Sequence, residues 1–299
     1  MLTGIHFLLT YKCNLECDHC FVYSGPKAEG TFTLNQIKKV LDELIKIGTI
    51  EWVYFEGGEP FMFYPLMLEG IKIARGMGFK VGVVTNAYYA TSEEDAALWL
   101  QPLCKLGISD ISISDDAFHY EDRENNPAKR ALAAAKKLGM PFHSICIEKP
   151  EFEKTSGTKG KPVVKGGSLL KGRAVEKLLE GLPGKRYEEF TECPEEDLEN
   201  PERVHIDSYG YVHLCQGLVI GNMWEIPLSK LVKDYDGYSH PICSPLLKGG
   251  PALLAKKYKI KHDEKYVSAC HFCYFIRRAL LDKFPKYLAP RQVYGKENF

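Results

Sequence analysis

The sequence has no surplus of either charge: 39 Lys and Arg face 39 Asp and Glu across 299 residues. Nonspecific attraction to nucleic acid or to an anionic membrane needs a basic excess, so neither partner is expected. No apolar run approaches the ~20 residues of a membrane span. Met1-Leu2-Thr3-Gly4-Ile5 lacks a basic stretch, and no cleavage site follows it. A secretory signal is therefore not expected, and a cytoplasmic location is. Internal repeats of fixed period and low-complexity tracts are also lacking, which excludes solenoids and biased linkers. What remains, 45% hydrophobic and 26% charged, is the composition of an ordinary soluble globular protein. Its length suits one large or two modest domains.

Cysteine, by contrast, is plentiful, at 10 residues. Without an export signal these point to metal binding in a reducing compartment rather than to disulfides. Three of them fall within one stretch, Cys13-Asn14-Leu15-Glu16-Cys17-Asp18-His19-Cys20, spaced C-x3-C-x2-C. A loop of that length can turn its three thiolates toward one point. On a four-iron cluster, three thiolates leave one iron without a protein ligand, where a cofactor can bind and react. A zinc knob is the other reading of the same residues.

Around this loop the chain alternates between two periodicities. Gly4–Thr10 is a nearly continuous apolar run, as in a buried parallel strand. Thr33 and Gln36 have capping-box spacing, and Ile37, Val40, Leu41, Leu44 and Ile45 recur at helical intervals up to Gly48. Strands are expected at 52–55, 79–85, 108–114 and 141–147, with helices at 65–75, 92–106 and 127–138 between them. Such alternation implies a parallel sheet, open or closed into a barrel. Residues 151–172 read as a long loop with one short strand at 162–165. Ala174–Glu180 is a short helix, and Leu182-Pro183-Gly184-Lys185 a turn and domain boundary. Residues 204–207 and 211–214 form a hairpin across Ser208-Tyr209-Gly210.

Glu56-Gly57-Gly58-Glu59-Pro60 follows the second strand. Ligands of parallel α/β folds bind at the carboxyl ends of strands, the same mouth that carries the cysteine loop. Paired glycines let a backbone approach a ligand closely. Placed one strand–helix unit after C-x3-C-x2-C, this stretch resembles the radical S-adenosylmethionine (radical SAM) superfamily, with His19 at the position its motif gives to an aromatic residue.

The resemblance implies a partial (β/α)6 TIM-like barrel over residues 1–182 and a small C-terminal α+β auxiliary-cluster domain over 183–299. It implies a [4Fe–4S] cluster on Cys13, Cys17 and Cys20, with S-adenosylmethionine bound at its open iron. Gly57, Gly58 and Glu59 match the motif that holds the cofactor's methionyl amine. Asn86, Ser112 and Ser114 match the positions that touch its ribose and carboxylate. Arg173, in Lys171-Gly172-Arg173-Ala174, resembles an element of peptide-modifying members and is a partner for that carboxylate. All seven have an ordinary structural alternative in turns, strand ends or a solvated surface.

Cys193, Cys215, Cys243, Cys270 and Cys273 resemble the auxiliary-cluster extension called SPASM, or its shorter twitch form. A second [4Fe–4S] cluster is expected on Cys193, Cys215, Cys270 and Cys273, with Cys243 spare or exchanged; zinc on the same ligands is the alternative. Cys104 and Cys146 are expected in the core. Asp116, His119 and Glu148, near strand ends, are candidate substrate-side acid–base groups. The implied reaction is reductive cleavage of S-adenosylmethionine to a 5′-deoxyadenosyl radical that abstracts a substrate hydrogen. The first expectation is oxidation or cross-linking of a peptide or protein side chain, with a reductase, ferredoxin or flavodoxin as electron donor. No peptide-recognition segment is expected ahead of the barrel, which weighs against a leader-guided substrate. A twitch-class small-molecule dehydrogenase or rearrangement enzyme is the second expectation, and a non-catalytic metal-binding protein the third.

Overall fold

The computed structural model describes residues 1–154 and 162–296. From its start the chain alternates β1 (Gly4–Thr10), α1 (Leu34–Ile47), β2 (Trp52–Gly57), α2 (Tyr64–Gly76), β3 (Lys80–Thr85), α3 (Glu93–Lys105), β4 (Asp110–Ser114), α4 (Pro127–Lys137) and β5 (Phe142–Ile145). Local chemistry sets these bounds. The Thr33 hydroxyl accepts the Gln36 N–H at 3.3 Å and the Gln36 carboxamide accepts the Thr33 N–H at 2.8 Å, closing the capping box of α1. Gly48 ends that helix in the left-handed region, φ 75°. Ser92 and Asn126 cap α3 and α4 in the same manner.

After β5 come β6 (Glu151–Lys154) and β7 (Pro162–Lys165), which pair as an antiparallel hairpin. The expected long loop at 151–172 therefore carries two strands rather than one, because β6 finds a partner eight residues on that its own composition does not announce. Residues 155–161, the middle of that loop, lie outside the described residues. The rest comprises α5 (Ala174–Lys177), β8 (Lys185–Arg186), β9 (Arg203–Asp207), β10 (Tyr211–Cys215), β11 (Leu218–Asn222), α6 (Leu228–Asp234), α7 (Cys243–Tyr258), β12 (Lys265–Tyr266) and α8 (Ala269–Ala279). β12 pairs with β8.

The main sheet has the order β11-β10-β9-β1-β2-β3-β4-β5. β9 through β5 in that order are parallel, and β10 and β11 extend the β9 edge antiparallel. The mixed α/β class and the mostly parallel sheet of a partial TIM-like barrel are thus as expected. The sixth parallel strand, β9, comes from residues 203–207 and joins the edge opposite β5, beside β1. The sheet therefore runs across the 182/183 turn. β11, absent from the expected hairpin, is a third strand. A buried polar knot ties this edge down: Asp207, fully buried, accepts the Tyr11 hydroxyl at 2.9 Å, His213 Nε2 at 3.1 Å and the Tyr211 N–H at 2.9 Å. The core lies between sheet and helices, where Phe7 stacks on Phe55 with ring centres 5.0 Å apart and Ile37, Val40, Leu41 and Leu44 of α1 are buried. Among the described residues no helix is long and apolar enough to cross a membrane.

Candidate active site

The carboxyl ends of β1 to β4 open on a cavity of about 230 Å³. Cys13, Cys17 and Cys20 line it together with Gly57, Gly58, Asn86, Ser114 and His119. The three sulfurs are free thiols. Burial pushes the Cys13 and Cys17 thiols up to about 12, so ionisation there requires a compensating metal charge. Donors are already aimed at the sulfurs: Leu15 N–H reaches Cys13 Sγ at 3.4 Å and Ser24 N–H reaches Cys20 Sγ at 3.3 Å. Asn86 Nδ2 lies 3.7 Å from Cys13 Sγ and donates to Asn14 Oδ1 at 2.9 Å. Donors to sulfur are what an iron–sulfur cluster uses to stabilise its charge, and the residues present fit that group.

The two glycines also serve a purpose that the sequence does not suggest. A Cβ on Gly58 would sit 2.1 Å from the Lys12 carbonyl oxygen, and one on Gly57 2.4 Å from the Thr10 oxygen. Their nearest neighbour is the backbone that launches the cysteine loop. Gly58 N–H donates to the Thr10 oxygen at 2.6 Å and Glu59 N–H to the Lys12 oxygen at 2.9 Å. The turn after β2 is thereby stitched to the base of the loop, leaving its glycine backbone on the cavity wall.

Glu59 is placed behind this wall rather than in it. Its carboxylate, fully buried, accepts the Phe61 N–H (3.0 Å), the Thr85 hydroxyl (2.9 Å) and the Asn86 N–H (2.7 Å). It joins the end of β2 to the end of β3 and so orients Asn86. Burial raises its acid from 4.5 to about 7, against the opposing pull of those donors. The folded protein then holds a proton that the unfolded chain releases above about 4.5. Glu59 therefore contributes stability that is present at low pH and lost as pH rises toward about 7. Thermal melting should fall across that window, and Glu59→Gln should flatten the slope. Equal slopes in the two proteins would remove this role.

The remaining candidates divide. Ser114 and His119 line the cavity, whereas Ser112 does not and donates to Asp110 at 2.8 Å. Asp116 is buried behind His119, holding its Nδ1 at 2.8 Å and the Phe118 N–H at 3.0 Å. Burial opposes ionisation of Asp116, but His119, His19 and the Phe118 N–H together outweigh it and lower the acid below its ordinary value. Glu148 is exposed and outside the cavity lining. Arg173 does not face the cavity: its guanidinium donates to the carbonyls of Cys17 (2.8 Å) and Ser24 (2.7 Å), locking the cysteine loop from outside. Cys146 is exposed, with the Arg123 guanidinium 3.5 Å from its sulfur, so it is not a core residue. Cys104 is half-buried in α3.

The sequence reading placed His19 only at the motif's aromatic position, with no role of its own, and missed a second set of residues. His19, which burial lowers to about 4 and so keeps neutral, stacks on Phe118 at 4.3 Å and leaves its Nδ1 unpartnered beside the cysteines. His6, Glu56 and His205 meet on the inner face of the sheet, with His6 Nδ1 3.1 Å and His205 Nε2 3.0 Å from the carboxylate. No spacing announces that group, because His205 reaches it only through the β1–β9 pairing.

A second cavity is lined by Cys193, Cys215, Cys270 and Cys273, with Lys171 and Arg277. Cys215 ends β10, and Cys270 and Cys273 lie in the first turns of α8, capped by Ser268. Cys243 is buried outside this lining. Four cysteine sulfurs lining one cavity are a donor set that fits an iron–sulfur cluster or zinc. The tetrad Leu170–Arg173 joins the second cavity to the first cysteine loop: Lys171 stands in that cavity, while Arg173 N–H donates to the Cys20 carbonyl at 2.9 Å.

A family model described as the radical SAM superfamily matches residues 7–150. The chain is 25% identical over 250 residues to YydG of Bacillus subtilis (strain 168), provisionally named a peptide biosynthesis protein; this covers 84% of the chain and 72% of YydG. It is 39% identical over 80 residues to the antilisterial bacteriocin subtilosin biosynthesis protein AlbA of the same organism, 27% of the chain and 17% of AlbA. To the mycofactocin maturase MftC of Mycobacterium tuberculosis (strain ATCC 25618 / H37Rv) it is 42% identical over 85 residues, 28% of the chain and 21% of MftC. The chain thus spans less than two thirds of AlbA and MftC.

Proposed function

Since the chain belongs to the radical SAM superfamily through residues 7–150, we propose that it starts radical chemistry on a peptide or protein side chain, oxidising or cross-linking it. The observation that carries the reading is the convergence of Cys13, Cys17 and Cys20 with Gly57, Gly58 and Asn86 on one cavity at the strand ends. When bound, the reduced cluster and S-adenosylmethionine supply a 5′-deoxyadenosyl radical that takes a hydrogen atom from an unactivated carbon.

The chain's own residues prepare that event. Cys13, Cys17 and Cys20 hold the cluster, with Arg173 and the stitched Gly58 turn fixing their loop. Gly57 and Gly58 offer backbone to the methionyl end, and Asn86 and Ser114 offer polar groups beside it. His119, fixed through Nδ1 by Asp116 at 2.8 Å, presents its remaining ring edge for a proton. Val84, Ile145 and Ile147 make up an apolar part of the wall, which keeps water from a reactive carbon. Residues 183–299, with Lys171 reaching across, hold a second [4Fe–4S] cluster on Cys193, Cys215, Cys270 and Cys273, supported by the meeting of those four cysteines on one cavity. A reductase, ferredoxin or flavodoxin in the cytoplasm supplies the electron. The peptide substrate is supported by the biosynthetic names of YydG and AlbA.

The test is anaerobic reconstitution followed by a strong reductant and S-adenosylmethionine. Release of 5′-deoxyadenosine is expected, and its absence would end the enzyme reading. The gene neighbourhood is then searched for a short precursor peptide, and incubation of the enzyme with such a peptide should show loss of a hydrogen pair by mass spectrometry. An unchanged peptide with continued 5′-deoxyadenosine release would turn the assignment toward a small molecule.

A further inference from the structure

Two buried cations stand against the second set of cysteines. Lys171 Nζ lies 3.5 Å from Cys215 Sγ and donates to Gln216 Oε1 at 2.8 Å. Arg277 donates to the Gln216 carbonyl at 3.1 Å and brings its other terminal nitrogen to 3.9 Å from the same sulfur. Lys171 is 4% and Arg277 2% exposed. A buried charge is costly unless an opposite charge faces it.

The carboxylates nearby meet that need only in part: Glu196, itself largely buried, pairs with Lys171 but not with Arg277. Glu196 lies 3.8 Å from Lys171 and 3.6 Å from Arg203. Glu192 and Glu195 line the mouth of the cavity but are exposed, where water screens them. Among the described residues Arg277 meets a carbonyl, the sulfurs of Cys215 and Cys273 and the face of Tyr294, with no carboxylate among them, and its Nε has no partner. Both cations also face the cysteines of this cavity, where one carboxylate is shared between two positive charges and Arg277 has none.

Reduction adds one negative charge to an iron–sulfur cluster, and fixed charge and donors at its sulfurs shift that equilibrium. Cations held out of water at the ligand sulfur act through a low dielectric and stabilise the reduced form most. Lys171 also stands over the Phe21 ring, 5.6 Å from its centre, and Phe21 follows Cys20 and lines the first cavity. Gly172, at φ +62°, packs so closely that a Cβ would fall 2.5 Å from the Cys20 oxygen. The lysine is thus held between the two metal loops by the segment that clamps the first.

We propose that Lys171, reinforced by Arg277, raises the reduction potential of the cluster on Cys193, Cys215, Cys270 and Cys273, so that this cluster takes up an electron rather than supplies one. The proposal rests on the two-cluster reading above. It is tested in full-length protein carrying Cys13→Ala, Cys17→Ala and Cys20→Ala, reconstituted without oxygen, so that the second cluster is read alone. Iron content and a potentiometric titration followed by electron paramagnetic resonance are measured on this parent, on Lys171→Gln and on Lys171→Arg.

Lys171→Gln should move the reduction equilibrium at least about tenfold toward the oxidised form, about 59 mV for one electron. Lys171→Arg should stay close to the parent. Full iron with an unchanged midpoint in Lys171→Gln overturns the proposal. Iron lost in Lys171→Gln but kept in Lys171→Arg supports it, because charge is then what the anionic cluster needs; iron lost in both overturns it, because shape is. A parent without iron removes the second cluster and the proposal with it, whereas a parent with iron keeps that reading whatever Lys171 does.

Discussion

Replacing Cys13, Cys17 and Cys20 together by alanine is expected to abolish 5′-deoxyadenosine release and to lower the iron of the reconstituted protein from about eight atoms to about four. The effect is complete because no other sulfur is placed to substitute. The three sulfurs line one cavity, and the other four candidate ligands line a separate one. Single replacements should act nearly as strongly, because each removes one of only three sulfurs on that cavity; Cys13 is further held by Leu15 N–H and Asn86, and Cys20 by Ser24 N–H. Iron is measured colorimetrically and the nucleoside by chromatography. Cleavage surviving in the triple variant would move the reaction away from this loop. Loss of all iron would mean that the second cavity holds none by itself.

Gly58→Ala is expected to cost about 3 kcal/mol or more, as overpacking against an unyielding neighbour does. The added methyl would fall 2.1 Å from the Lys12 oxygen, 2.6 Å from the Lys12 carbonyl carbon and 2.8 Å from the Tyr11 oxygen. All three are backbone atoms, so no side chain can swing aside. Relief requires parting the turn after β2 from the start of the cysteine loop, which breaks the 2.6 Å bond from Gly58 N–H to Thr10. S-adenosylmethionine binding and iron retention should therefore fall together with stability. Thermal denaturation, calorimetric binding and iron analysis check this. A variant with normal stability but weakened cofactor binding would show that the glycine serves the ligand alone.

The reach of the sequence differs from one feature to the next. The bounds of α1 and α4 were legible because Thr33, Gln36, Gly48, Asn126 and Pro127 are short-range signals, complete within one helical turn. β1 was legible because a strand buried on both faces is apolar throughout. β6 and β11 were not: a short strand's identity is settled by its partner, and the partner is not written in its own residues. Arg173 was drawn to the wrong target because a guanidinium suits carboxylates and carbonyls alike. Only the fold brings the Cys17 and Ser24 carbonyls to it. Glu59 was placed near the cofactor by motif, yet the turn directs its carboxylate back between β2 and β3.

What the sequence determined by itself is the chemistry available: three thiols spaced C-x3-C-x2-C, a Gly-Gly turn one unit later, and a second supply of cysteines. Ligand spacing within a loop is local, and a local pattern survives any tertiary arrangement. What only the tertiary structure decided is which groups share a space. β9 crosses from residue 203 to pair with β1 and carries His205 to His6 and Glu56. Cys193, Cys215, Cys270 and Cys273 meet from a loop, a strand end and a helix start. Lys171 and Arg277 close on Cys215 from opposite ends of the C-terminal half. These meetings depend on how buried surfaces pack and where buried charges find partners. Both are properties of the whole fold, which no stretch of sequence contains.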